Sequence, residues 1–246
     1  MRRRLMTLVA VLVLGAAGAV AWAADAKFHE VHADVFDPAH TDLVQSGWLS
    51  GIGCPTGAGV STTGGKKPDT TYTDPACPTG DPKDNGNEGL LLAKTGPTAN
   101  YASGTADLKD VKGTALTELG YDIRKPTNSL DPRGSHCGAG APRFNITLMD
   151  GSSYFLGCNS PSATTQNDGG NGWVRLRWGN GTTLDAFNAS TGVLTNISGQ
   201  TVQSIQIVFD EGQDPSGGPD QFGLAILDNI DVNGVLVGQG NPPHGD

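Results

Sequence analysis

Along most of this chain apolar and polar residues alternate in short runs, and Gly, Asn, Asp or Pro separates each run from the next. A period of two residues belongs to a strand with one buried face, and no sustained 3.6-residue period follows the first 23 residues. Strands are predicted over 27–36, 43–50, 89–93, 114–124, 172–178, 182–187, 193–197, 201–209, 222–232 and 235–237. A short helix capped at Asp37 is the alternative for the second of these. The clearest hairpin runs from Phe144 to Gly157, where Asp150-Gly151 suits the two positive φ angles of a type I′ turn. A two-residue loop there pairs Ile146 with Phe155 and Phe144 with Gly157, and assigns that face to the core. Asn233-Gly234 marks a second turn of the same kind. Residues 51–87 are nearly free of apolar side chains, and 159–171 is a polar stretch expected to be mobile. The pattern predicts an all-β protein: an antiparallel β-sandwich, jelly-roll-like, with long disulfide-pinned loops.

The first 23 residues break this pattern. Arg2, Arg3 and Arg4 precede an uncharged, largely apolar run from Leu5 to Val20, and Ala21-Trp22-Ala23 supplies small residues for cleavage. That is the form of a secretory signal peptide, short for a membrane anchor. The expected organisation is a leader at 1–23, a single sandwich domain at 24–238 and a disordered tail at 239–246. The mature chain is expected to have no membrane span and to be secreted, extracellular or periplasmic, after cleavage near Ala23. Export places Cys54, Cys77, Cys137 and Cys158 where thiols oxidise. Four cysteines allow three pairings. Sequential pairing, Cys54–Cys77 and Cys137–Cys158, would close two loops, each worth on the order of 3.4 kcal/mol in the chain-entropy model. The first would pin the polar stretch, whose two cysteines each open the tetrapeptide Cys-Pro-Thr-Gly. Zinc is the rival reading, but no paired C-x-x-C occurs.

Charge narrows the partners. Removing the three leader arginines from 16 basic residues leaves 13 against 25 acids, a net of −12. Such a surface repels phosphate backbones, so nucleic acid is excluded as a partner. Most of the acids are Asp beside Gly, Pro or Asn, which is turn chemistry, and the same loops can collect calcium. Asp228 interrupts an apolar row of Leu224, Ile226, Ile230 and Val232, where a carboxylate needs hydrogen bonds or a metal. Together with Asp210, Asp214 and Asp220 it forms the candidate calcium set; backbone amides are its alternative partners. Trp173, Arg175 and Arg177 lie on the strand face opposite Val174, Leu176 and Trp178. An aromatic ring beside two guanidiniums suits a sugar ring and its hydroxyls. The alternative is a Trp173 packed under the nearby loop, with both arginines offsetting the acidic surface. Glu118 and Asp122 share a face but stand about 13 Å apart at strand rise, too far for a glycosidase pair. No G-x-S-x-G elbow is present.

Ile226-Leu227-Asp228-Asn229-Ile230-Asp231-Val232 resembles the closing strand of many jelly-roll carbohydrate-binding modules, which reads L-D-N-I-x-V. Residues 201–210 resemble the strand before it. Residues 88–178, notably Cys137 to Asn145, are similar to secreted bacterial proteins of unknown function. The resemblance implies a jelly roll and a glycan ligand. The expected protein is therefore a secreted, non-catalytic module for extracellular glycan, with Trp173, Arg175 and Arg177 as the contact and calcium as a structural ion. The alternatives are an extracellular surface or matrix protein and, third, a glycan hydrolase built from distant loops.

Overall fold

The computed structural model describes residues 28–60, 70–125, 141–168, 172–213 and 223–240. The predicted leader, Cys137, Asp214 and Asp220 lie outside them. In chain order the first strands are β1 Val31–Phe36, β2 Val44–Leu49, β3 Thr56–Val60, β4 Thr70–Thr73, β5 Gly89–Lys94 and β6 Ser103–Leu108. Next come β7 Leu119–Arg124, β8 Arg143–Leu148, β9 Ser153–Gly157, β10 Thr165–Asp168 and β11 Val174–Trp178. The last are β12 Asp185–Asn188, β13 Leu194–Asn196, β14 Val202–Phe209, β15 Leu224–Val232 and β16 Val235–Val237. Among the described residues there is no α-helix, and the chain is all-β.

Sheet A runs β1-β6-β14-β8-β9-β12-β13, and sheet B runs β10-β11-β7-β15-β5-β2 with β16 on β15; every pairing is antiparallel. The chain crosses between sheets from β5 to β6, β7 and β8, turns back through β9, then crosses again through β11, β14 and β15. First and last of these eight, β5 and β15, are neighbours. That is jelly-roll connectivity. Inner faces of both sheets supply the core, centred on Tyr121, Phe144 and Trp178 with ring centroids 5.4–6.3 Å apart. Two polar tips in this core are satisfied: Tyr121 Oη donates to the Pro142 carbonyl at 2.8 Å and Trp178 Nε1 to that of Pro161 at 2.8 Å.

Strand β6 does not announce itself in the sequence, yet it sits between β1 and β14. Its small residues answer a steric need: a Cβ at Gly104 would stand 2.8 Å from the Gln45 carbonyl oxygen. The stretch 51–87 also contains the β3–β4 ribbon, and β10 falls in the polar stretch expected to be mobile.

The β8–β9 hairpin corrects the expected register. Its loop has three residues, Met149, Asp150 and Gly151, closed by Leu148 N to Ser152 O at 2.9 Å and Gly151 N to Leu148 O at 3.0 Å. Gly151 takes φ +85°, the left-handed position that a three-residue hairpin loop needs. Asn145, not Ile146, therefore lies opposite Phe155. A slip of one residue exchanges the faces of a strand. Leu156 goes to the core in place of Phe155, which stands on the outer face of sheet A, 38% exposed. The Asn233-Gly234 turn has the expected two residues, with φ +55° and +83°.

Strand β15 needs a second correction. A bulge between Asp228 and Asp231, with Asn229 at φ +45°, shifts the phase of the strand. Ala225 and Leu227, then Ile230 and Val232, face the core, whereas Ile226 and Asp228 face outward. Asp228 thus leaves the core row expected of it.

Cys54 and Cys77 are disulfide-bonded with Cα atoms 6.2 Å apart, and Cys158 is disulfide-bonded as well. Replacing Cys54 and Cys77 by Ser is expected to cost about 3 kcal/mol in a urea melt under oxidising conditions. Unchanged stability would show that the bridge does not hold residues 54–77.

Candidate functional site

The middle of the outer face of sheet B is closed: Cys54, Ala76, Cys77, Thr79 and Asp81 lie over it, held from below by charge. Arg175 projects outward from β11, opposite Asp122 on β7, which in turn is opposite Asp228 on β15. The Arg175 fork donates from Nε to Asp122 Oδ1 and from Nη2 to Oδ2, both at 2.8 Å. Its other arm holds the loop: Nη1 donates to Thr79 Oγ1 at 2.8 Å, and Nη2 reaches the Thr79 carbonyl. One row along, Arg177 pairs through Nε with Asp231 Oδ2 at 2.8 Å and lies 3.4 Å from Asp122 Oδ1. Gly120 makes room for it, because a Cβ there would collide with Arg177 Cδ. Asn229 Nδ2 donates to Asp122 Oδ2 at 2.9 Å, while its Oδ1 accepts from Asp81 N at 2.9 Å.

Trp173, Arg175 and Arg177 do share the expected face, but the loop covers them. Trp173 is 2% exposed and packs with Cys54, Ala76, Cys77 and Ile226. The guanidiniums are committed to protein carboxylates and to Thr79. In the folded chain these three side chains form the floor beneath a lid that is part of the domain.

Of the four calcium candidates, Asp210 and Asp228 are described, and they lie on different sheets. Asp210 follows β14 at the end of sheet A and takes both arms of Arg143, at 2.8 and 2.7 Å. Asp228 is on the outer side of sheet B, where its oxygens accept from Cys54 N at 2.6 Å and Asn229 N at 2.5 Å. Backbone amides are therefore its partners. Among the described residues one cluster has the spacing of a metal site, Cys54, Cys77 and Asp122, and its two sulfurs are spent on the disulfide.

Two guanidiniums face three buried carboxylates here: Asp122, Asp228 and Asp231. Desolvation, reinforced by the nearby charge of Asp122, pushes the Asp228 carboxyl well above its ordinary range. Desolvation also raises Asp231 against the pull of Arg177, and raises Glu118 with help from Asp231. Two carboxylates side by side, Asp122 and Asp228 being opposite one another on β7 and β15, have the arrangement of an acid–base pair. Asp122 and Asp228 are 0% and 1% exposed, however, and no substrate reaches them.

The outer face of sheet A is open and carries a continuous row. His32, Asp107, Gln206, Asn145, Phe155, Phe187 and Leu194, one from each of its strands, are successive cross-strand neighbours. At strand spacing this row spans about 29 Å. Its polar half borders a concavity of about 430 Å³ lined by Asp107, Lys109, Asn145, Thr147, Gln203 and Gln206. Gln206 Nε2 donates to Asp107 Oδ1 at 2.9 Å, and Lys109 Nζ to Oδ2 at 3.0 Å. Burial works to raise Asp107, but these two donors outweigh it and hold the carboxyl below its ordinary value. Asn145 Oδ1 accepts from Arg143 Nε at 3.2 Å, which turns the amide nitrogen away from Arg143. Sequence reasoning missed this face because the assumed two-residue turn hid Phe155 and Asn145 on opposite sides.

No family model matches the chain, and no curated protein matches it significantly. Among solved structures it is similar to the family 11 carbohydrate-binding module of the cellulosomal cellulase Lic26A-Cel5E of Clostridium thermocellum. Identity is 10% over 87% of this chain and 91% of that one, with a TM-score of 0.33. A second structure of a family 11 module from that organism, in complex with a β-1,3-1,4-mixed-linked tetrasaccharide, gives 11% identity over 84% and 90% at a TM-score of 0.35. The CBM22-1 xylan-binding domain of Paenibacillus barcinonensis Xyn10C gives 12% over 86% and 99% at 0.30. Superposition this loose leaves the ligand to be argued from the chain's own side chains.

Arg175→Ala would strand Asp122 and release Thr79; the expected cost is about 3–5 kcal/mol, with faster proteolysis inside residues 50–88. A loss under about 1 kcal/mol would mean that the network does not hold the loop. Raised carboxyls stabilise the fold below their unfolded pKa of about 3.9–4.3 and lose that contribution as pH rises through their folded values. Depressed ones, Asp107 and Asp210, contribute above the unfolded value and fail as pH falls through the folded one. Calorimetry is expected to show Tm rising from pH 8 toward pH about 5 and falling below about 4. A Tm that climbs steadily toward alkaline pH would contradict this.

Proposed function

We propose that this chain is an exported, non-catalytic glycan-binding module whose ligand lies across the outer face of sheet A. The observation that carries the reading is the cross-strand row in which Asp107, Gln206 and Asn145 continue into Phe155 and Phe187. A pyranose presents a ring of C–H groups on its face and hydroxyls at its edge. Aromatic rings meet the first need, and amides with a carboxylate meet the second. Gln206 gives its nitrogen to Asp107, so its oxygen remains an acceptor, while the Asn145 amide nitrogen is a donor beside it. Alternating donors and acceptors of this kind suit neighbouring hydroxyls. Export is supported by the leader-like first 23 residues and by the disulfide at Cys54–Cys77.

Isothermal titration against a panel of soluble polysaccharides tests the reading. Binding to at least one glycan is expected, weakened about tenfold or more by Phe155→Ala or Asn145→Ala, equivalent to about 1.4 kcal/mol. Phe155 is well exposed, so its truncation leaves the fold intact. Failure of every glycan to bind, together with concentration-dependent self-association in light scattering, would instead support a surface or matrix role.

A further inference from the structure

We propose that Asp210 sets the charge of the ligand: by occupying both arms of the Arg143 guanidinium it makes the aromatic end of the sheet A face selective for uncharged sugars. This deepens the glycan reading and rests on it. Arg143 stands on β8, with its guanidinium carbon 5.6 Å from the centre of the Phe155 ring. Its cross-strand neighbour on β9 is Gly157, whose missing side chain leaves the guanidinium beside Phe155 without an intervening group. A free guanidinium at that place would be a fork for a carboxylate, placed where a sugar ring stacks.

Asp210 removes that option. Both of its oxygens are engaged by Arg143, at 2.8 and 2.7 Å, in the parallel geometry of a two-point ion pair. Its backbone is anchored too, because Lys94 Nζ donates to the Asp210 carbonyl at 3.1 Å. Arg143 and Asp210 side chains are 22% and 39% exposed, so the pair borders solvent. Burial alone would raise the Asp210 carboxyl, yet the Arg143 hydrogen bonds and charge outweigh it and hold the carboxyl below its ordinary value. At the polar end Lys109 carries Asp107 at 3.0 Å, so Lys109 and Arg143 each have a carboxylate of their own. Lys112 stands at the rim of the concavity. The row's own carboxylate, Asp107, is matched by Lys109, as Arg143 beside Phe155 is matched by Asp210. A uronate brought to Phe155 meets the outer edge of a neutral pair with a carboxylate in it.

The two halves of the pair predict opposite shifts. Wild-type protein, Asp210→Asn and Arg143→Gln are titrated at low salt with a neutral gluco-oligosaccharide and with one of the same length bearing glucuronate. Wild type is expected to prefer the neutral ligand by about tenfold. Asp210→Asn frees the guanidinium and is expected to tighten the uronate ligand at least tenfold. Arg143→Gln leaves the carboxylate alone and is expected to widen the preference for the neutral ligand. Asp210→Asn with no gain for uronate, while neutral binding persists, would overturn the proposal, as would a wild type that prefers uronate. If Asp210→Asn does not fold, an unaltered or reduced preference in Arg143→Gln overturns it equally. Failure of the wild type to bind either ligand would instead bring down the glycan reading on which the proposal stands.

Discussion

The Arg175–Asp122 ion pair is the constraint around which the molecule is arranged. Asp122 sits in the middle of sheet B with no solvent access. A carboxylate so placed survives only when opposite charge and hydrogen bonds replace its water. Arg175, Arg177 and Asn229 supply them. The same Arg175 reaches upward to Thr79, so the interaction that stabilises the sheet also holds the cover. Residues 50–88 contain few apolar side chains and could not bury themselves by hydrophobic contact alone. Charge from below and the Cys54–Cys77 bridge at the side replace that missing driving force. Gly238 N to Asp81 and Gly240 N to Glu88, at 3.1 and 2.9 Å, add a strap from the chain's last described residues. The tail expected from residue 239 is thus held as far as Gly240.

With the middle of sheet B covered, the proposed binding rests on sheet A. One broad sheet face remains open among the described residues, and it is crossed by the row ending in Phe155, Phe187 and Leu194. Its composition is that of a surface meant to stay wet while meeting a polar partner: amides, hydroxyls and paired charges, with two rings. The strong negative charge of the chain is not concentrated there, because Asp107 and Asp210 each carry a cation. A jelly roll with the middle of one face covered and the other furnished in this way suits the glycan-binding role proposed for it.

Much of the fold was legible in the sequence, because alternation with Gly, Asn and Asp punctuation marks strands whose faces differ. Val174, Leu176 and Trp178 were placed inward correctly on that basis. Strand β6 was not legible, since its small residues follow from the close approach of Gln45 rather than from any pattern of their own. Nor could alternation say whether the opposite face of β11 meets water. Its cover comes from Cys54, Ala76, Cys77 and Thr79, about a hundred positions away in the chain. Asp228 was misplaced because a bulge moves it, and bulges leave no mark on a two-residue period. The largest consequence came from the smallest error. One residue in the β8–β9 loop separates a buried Phe155 from an exposed one, and with it a hidden sheet A site from a visible one.

Chemical-shift mapping by NMR during titration with the oligosaccharide that binds best tests the central claim most directly. Perturbed amides should trace β14, β8, β9 and β12 across sheet A, with residues 50–88 and β11 unmoved. Perturbations centred on Trp173, Arg175 and the Cys54–Cys77 loop would place the ligand on sheet B and contradict the account.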